Sequence, residues 1–233
     1  MTTMNLVLQG PGATKTKLDA IAALAAPARV SALPGAALRC EDVAASPDVV
    51  EAVQAAALAA QVDATFIAAG RSLADFSLVA MDMDSTLITI ECIDEIADMQ
   101  GLKAEVSAIT EAAMRGELDF SASLAARVAL LKGLEASALA RVYDERLRLS
   151  PGAQAMLAAV RAAGLKTLLV SGGFTFFTER LKTRLGLDYA HANVLEIEDG
   201  RLTGRVVGGI VDAEEKMRTV ARVCAELGVD TRR

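Results

Sequence analysis

The chain has 233 residues, with 24 Lys and Arg against 30 Asp and Glu, for a formal net charge of −6 and a pI near 5.0. That balance argues against a nucleic-acid binder, which needs clustered cations for its phosphate contacts; 53% apolar residues exclude wholesale disorder. No uncharged apolar run reaches the roughly 18 residues that a membrane helix needs, so the mean hydropathy of +0.36 is read as a buried core. Length allows one or two domains. Three scattered cysteines, Cys40, Cys92 and Cys224, form no CxxC pair or disulfide framework and fit a reducing cytoplasm. The lone histidine, His191, gives little support for a multi-His zinc site. The opening MTTMNLVLQG has neither a basic segment nor a cleavable apolar stretch, so no secretory leader is expected.

In chain order, residues 4–9 read as a strand, followed by a turn at Gly10-Pro11-Gly12. Helical spacing runs from Thr14 to Ala26 and ends at Pro27. Val30 to Leu38 is a short piece interrupted by proline. Ser46 and Pro47 open a second helix as N-cap and first helical residue. These elements predict a small α/β domain over 1–70, linked through residues 70–76 to a second region, 71–233. There, Leu78 to Met81 reads as a strand buried on both faces. Helical patterns follow at 91–100, 104–115, 119–132 and 135–147, forming a helical cap at about 88–150. A helix from Pro151-Gly152 to Ala163, a buried strand at Thr167 to Val170, and a helix over Thr175 to Leu185 come next. Strands near 190–197 and 202–208 flank the turn Asp199-Gly200, and a last helix covers about 212–227. Buried strands alternating with helices predict a doubly wound parallel sheet, whose ligands sit beyond the carboxyl ends of its strands.

Both short strands of that region run into chemically loaded sequence. Asp82-Met83-Asp84-Ser85-Thr86 follows the first, and alternation in extended chain puts Asp82 and Asp84 on one side. Two converging carboxylates repel unless a hard cation such as Mg²⁺ joins them; the alternative is that they cap the next segment. The second strand ends at Ser171-Gly172-Gly173 before a helix start. Such a hydroxyl with glycine amides forms a phosphate cradle, or equally a glycine turn closed by a serine cap. Lys216, taken alone, is a solvated helix lysine. Gly10-Pro11-Gly12-Ala13-Thr14-Lys15-Thr16 lacks the order of a P-loop and reads as a turn into a helix.

Taken together, MDMDSTLITIECIDEIA, MRGELDFSASLAARVALLKG, LVSGGFTFF and GGIVDAEEKMRT resemble the motifs of haloacid dehalogenase-like phosphatases, specifically the phosphoserine phosphatases, over roughly residues 70–228. The resemblance implies a haloacid dehalogenase-like α/β fold and hydrolysis of O-phospho-L-serine, a small-molecule substrate, in serine synthesis. Asp82 matches the nucleophile that forms an aspartyl-phosphate, and Asp84 the general acid and base. The Asp82 carboxylate and the Asp84 backbone carbonyl match two Mg²⁺ ligands. Ser171, Gly172 and Lys216 match the phosphate-binding positions. Glu91 matches the carboxylate that meets the substrate ammonium, and Arg127 the guanidinium that grips its carboxylate. Met114 and Phe120 match cap residues that close over the substrate. Read without the resemblance, Glu91 remains a first-turn helix acid and Arg127 a surface partner of Asp119 or Glu117.

The first 70 residues resemble the small ACT-like domain that precedes the catalytic part in many bacterial relatives. Such domains often bind amino acids and pair subunits, so a homodimer is one expected assembly; neither nucleic acid nor a membrane is an expected partner. In relatives a further strand ends in an acidic GDGxND-type motif that supplies a third metal ligand. This sequence reaches Arg233 without one, so the expectation is a C-terminally incomplete catalytic domain, with impaired activity unless the missing piece is supplied. Two other readings stay open: a non-catalytic amino-acid-binding or assembly module, and a different small-molecule phosphatase of the same superfamily.

Overall fold

The computed structural model describes residues 4–231, and the chain divides into two compact units, Met1–Ser72 and Leu73–Arg233. In the first unit the elements are β1 (Met4–Gln9), α1 (Lys15–Leu24), β2 (Arg29–Leu33), β3 (Ala37–Val43), α2 (Pro47–Ala60) and β4 (Asp63–Ala68). The strands form one antiparallel sheet in the order β2-β3-β1-β4. This is the βαββαβ arrangement in which two helices cover one sheet face. Leu6 and Leu8 alternate inward from β1 and pack with Leu18 and Ile21 of α1 and with Val53 and Ala57 of α2. Ser46 caps α2 by accepting from the Val49 amide at 3.4 Å, and Pro47 occupies the first turn.

The segment read as a short proline-interrupted piece is a hairpin. Pro34 and Gly35 sit in the turn that joins β2 to β3, and Gly35 there takes φ +78°. Proline presets the entry to such a turn and glycine accepts the left-handed residue, so the pair joins two strands instead of ending one.

In the second unit, β5 (Leu78–Met81), β6 (Lys166–Phe174) and β7 (Tyr189–Glu198) pair in parallel, and β8 (Arg201–Val207) adds antiparallel to β7. The sheet is therefore mixed, with a parallel body. Between β5 and β6 lie the helices of the insertion: α3 (Cys92–Asp98), α4 (Lys103–Met114), α5 (Phe120–Leu130) and α6 (Ser137–Arg141). A bridge between Ile88 and Leu149 closes its base. The remaining helices, α7 (Ala153–Ala162), α8 (Thr175–Leu185) and α9 (Ala213–Leu227), pack against the sheet. Leu169, Phe174, Phe177 and Leu157 join the insertion's Ile96, Leu124 and Leu139 in one core, while Leu168, Val170, Val211 and Val223 form a second cluster.

Two local expectations change. β5 is only partly buried, with Ala80 exposed, because among the described residues it pairs with β6 alone and forms the sheet edge. β6 does not stop at Val170 but continues extended to Phe174. The turn Asp199-Gly200 takes φ values of +48° and +74°, the double positive φ that favours a tight hairpin. That hairpin also holds the insertion: the Gly133 amide donates to Leu202 O and the Leu202 amide to Leu134 O, each at 2.8 Å.

Candidate active site

At the carboxyl ends of β5 and β6, a cavity of about 150 Å³ is lined by Asp82, Asp84, Glu91, Phe120, Arg127, Ser171, Gly172 and Lys216, with Ile93, Leu124, Gly173 and Phe174. Each arrives by a different local route. Past Met81 the chain enters a tight turn over Met83–Leu87. The Asp82 Oδ1 atom accepts from the Met83 amide at 2.7 Å, which fixes the carboxylate, and its Oδ2 pairs with Lys216 Nζ.

Ser85 takes φ +51°, an uncommon conformation for a side-chain-bearing residue and one often retained at functional turns. It reverses the chain so that the Ser85 amide donates to Ile90 O at 3.1 Å and the Ser85 hydroxyl donates to Glu91 Oε1 at 2.6 Å. The same reversal brings the Cys92 amide to Asp84 Oδ1 at 3.3 Å. Burial raises the Asp84 carboxyl to about 7; the hydrogen bonds from Cys92 oppose that rise, and the charges of Glu91 and Asp82 add to it.

Across the cavity, Ser171 is buried and its Oγ accepts from the Gly173 amide at 2.9 Å. A side chain at either of two glycines here would push a neighbouring side chain aside. A Cβ on Gly173 would lie 2.7 Å from both Asp84 Oδ2 and Met83 Cε, and one on Gly172 would lie 2.7 Å from the Phe120 ring. The first helical residues of α8 follow, with no side chain capping them. On α9, Asp212 caps the helix by accepting from the Glu215 amide at 2.9 Å, and Lys216 projects from the first turn to Asp82. The insertion contributes Glu91 beside α3, and Phe120 and Arg127 from α5. Arg127 Nε donates to Ser123 O at 3.4 Å.

The structure thus brings together Asp82, Asp84, Glu91, Phe120, Arg127, Ser171, Gly172 and Lys216. Met114 is not among them: it ends α4, is 83% exposed and does not line the cavity. It is the last residue of α4, a helix in which Val106 alone is buried. Sequence reading placed Gly173 in the glycine cradle but did not single out Ile93, Leu124 or Phe174. The SGG run was the available signal for Gly173; the apolar three had none beyond ordinary core spacing.

For a metal ion, the cavity offers oxygen donors from Asp82 and Asp84, which both line it. No third acidic, histidine or cysteine side chain joins them among the described residues. Magnesium is commonly held by one or two carboxylates, with water and substrate phosphate completing its shell, so this donor set suits Mg²⁺ with an open, ligand-completed shell.

An aspartate pair at a strand end, faced by a glycine loop and a lysine beneath a helical insertion, is the site of an α/β-fold enzyme of the phosphoryl-transfer kind. The family model described as haloacid dehalogenase-like hydrolase matches residues 79–233, and the chain belongs to that family. Relatives it matches in sequence include phosphoserine phosphatases. The one from Polaromonas sp. is 58% identical over 165 residues, covering 69% of this chain and 70% of the relative. The crystal structure of a probable phosphoserine phosphatase from Vibrio cholerae, in unliganded form, covers 98% of this chain and 70% of its own, with a TM-score of 0.77 and 34% identity. A substrate-bound phosphoserine phosphatase complex covers 66% and 73%, with a TM-score of 0.62 and 37% identity. No helix among the described residues is long and apolar enough to cross a membrane.

Proposed function

We propose that this cavity hydrolyses O-phospho-L-serine to L-serine and phosphate. The observation that carries the reading is one small cavity holding one anion (Glu91), one cation (Arg127) and a Ser171–Gly172–Lys216 cradle opposite Asp82. A phosphorylated amino acid presents an ammonium, a carboxylate and a phosphate, and this set gives each a partner. A sugar phosphate would leave Glu91 and Arg127 unmatched, at the cost of desolvating charges without compensation.

In this scheme Glu91, held by the Ser85 hydroxyl, receives the substrate ammonium, and Arg127 grips its carboxylate through two parallel hydrogen bonds. The Ser171 hydroxyl, the Gly172 amide and Lys216 take the phosphate oxygens. An Asp82 carboxylate oxygen attacks phosphorus, the bond from phosphorus to the serine oxygen breaks, and Asp84 gives its proton to that leaving oxygen. A carboxyl raised to about 7 by burial is well placed for this, because an acid whose pKa lies near the working pH serves both directions. Serine leaves, Asp84 takes a proton from water, and the resulting hydroxide equivalent attacks phosphorus, restoring Asp82 and releasing phosphate. Lys216 offsets charge on the phosphoryl oxygens through both steps. Mg²⁺, held by the Asp82 carboxylate and the Asp84 backbone carbonyl, would supply further charge neutralisation at the phosphoryl group. Phe120, lying over Gly172, excludes water from above. The buried, unpaired cysteines support a reducing, cytoplasmic setting for the reaction.

Substrate competition tests this assignment. With Mg²⁺ present, L-phosphoserine should be cleaved in strong preference to glucose 6-phosphate. Glu91→Gln and Arg127→Lys should each raise KM about tenfold or more, the size of a lost charge-assisted bond. Equal turnover of the sugar phosphate, or variants with unchanged KM, would sink it.

A further inference from the structure

We infer that Asn193 is a positioning residue that locks the two halves of the phosphate site to each other. This rests on the functional reading above for what the site binds, though not for the geometry. Asn193 lies on β7 and is 1% exposed. Its Nδ2 donates to the Gly172 carbonyl at 2.7 Å and its Oδ1 accepts from the Val211 amide at 2.8 Å. Both ends of one buried amide are therefore used, each on a backbone group of a different active-site segment.

The reason for that bond lies in the sheet register. β6 and β7 pair regularly up to Val170 opposite His191, and pairing resumes with Phe174 opposite Asn193. Four steps along β6 thus span two along β7, so Ser171-Gly172-Gly173 bulges out of the ladder. That bulge is what presents the loop to the cavity, and it leaves the Gly172 carbonyl without a ladder partner. Buried backbone carbonyls are rarely left unpaired, and Asn193 supplies the missing donor. Its other end fixes Val211, itself buried, one residue before the Asp212 cap that starts α9 and five before Lys216 in the first turn of that helix. One side chain so ties Ser171 and Gly172 to the helix that aims Lys216 at Asp82. Neither Glu91 nor Arg127 depends on it, since both come from the insertion.

This predicts a split that a simple loss of stability would not give. Two variants and two readouts separate the cases, using the 233-residue chain. Asn193→Ala removes both bonds; Asn193→Asp keeps the volume and the acceptor for the Val211 amide but loses the donor to Gly172. Amide hydrogen exchange should quicken in both 171–174 and 210–216 for Asn193→Ala, and in 171–174 alone for Asn193→Asp. In parallel, inhibition by inorganic phosphate should weaken about tenfold or more, as expected when buried hydrogen bonds that hold a site are lost. Inhibition by L-serine should stay unchanged. Equal weakening of phosphate and serine, or exchange that quickens throughout the unit, would overturn the inference. A wild-type chain that neither cleaves L-phosphoserine nor responds to phosphate would refute the functional reading, and the exchange pattern would still decide the role of Asn193.

Discussion

Both units of this chain are α/β layers with helices covering a sheet, yet they treat polar groups differently. In the first unit the ion pairs are exposed on at least one side, such as Lys15–Asp19 and Arg29–Glu41, and Asn5 is its one buried polar residue among those described. The second unit buries Ser123, Thr167, Ser171, Thr178, Asn193 and Thr219 and sets Asp84 deep enough to shift its titration to near neutrality. Buried polar groups cost stability unless paired. Of these, Ser171 lines the cavity and Asn193 holds the Gly172 carbonyl beside it, so part of the second unit's buried polarity serves the site.

The sharpest way to break that contrast is to remove one carboxylate from each unit. Asp82→Asn should lower the rate of phosphoserine hydrolysis by about four powers of ten or more, the scale of losing a covalent nucleophile. Glu41→Gln, which removes the partner of Arg29 in the first unit, should leave kcat and KM unchanged in the same assay. A sizeable loss from Glu41→Gln would erase the distinction.

Next in size is the stability consequence of Asp84. Its folded-state pKa, about 7, lies above the ordinary 3.8, so the folded chain holds this proton more tightly than the unfolded chain. Stability attributable to the group is full below about pH 4 and falls as pH rises through 7. The span corresponds to on the order of 4 kcal/mol. In the presence of a chelator, Asp84→Asn should therefore melt higher than the wild type at pH 8 and alike at pH 4. A variant that melts lower at pH 8 would show that the carboxylate is stabilising and that the burial argument fails.

A smaller effect comes from the glycines. Gly173→Ala places a methyl group 2.7 Å from Asp84 Oδ2, and a displacement of about 1 Å at a reacting group costs roughly a hundredfold in kcat. Gly12→Ala in the first unit meets nothing within 4 Å and should shift stability by no more than about 0.5 kcal/mol. Steady-state kinetics and thermal melting of the two variants check both halves of the statement.

Much of the site was legible because its residues sit in two short runs at strand ends, where local sequence and position coincide. Asp82 and Asp84 alternate along extended chain, and Ser171-Gly172-Gly173 precedes a helix start, so spacing alone placed them near one crevice. Glu91, Phe120, Arg127 and Lys216 needed the family resemblance, since each alone is an ordinary helix charge or apolar residue. Met114, carried over with them, ends α4 and is exposed outside the cavity lining. Asn193 gave no signal at all. Its role depends on a register slip between β6 and β7 and on two backbone groups distant in sequence, neither of which leaves a periodic pattern. In the first unit, the β2–β3 hairpin was hidden because Pro34 reads as a strand breaker until the partner strand is known.

The most direct measurement is rapid-quench labelling with L-phosphoserine carrying radioactive phosphate, in the presence of Mg²⁺, followed by mapping of the labelled peptide. The expected result is an acid-stable, base-labile phosphoryl group on the peptide containing Asp82, formed and lost at rates compatible with turnover, and absent from Asp82→Asn. Turnover without any label on that peptide, or turnover that survives Asp82→Asn, would contradict it.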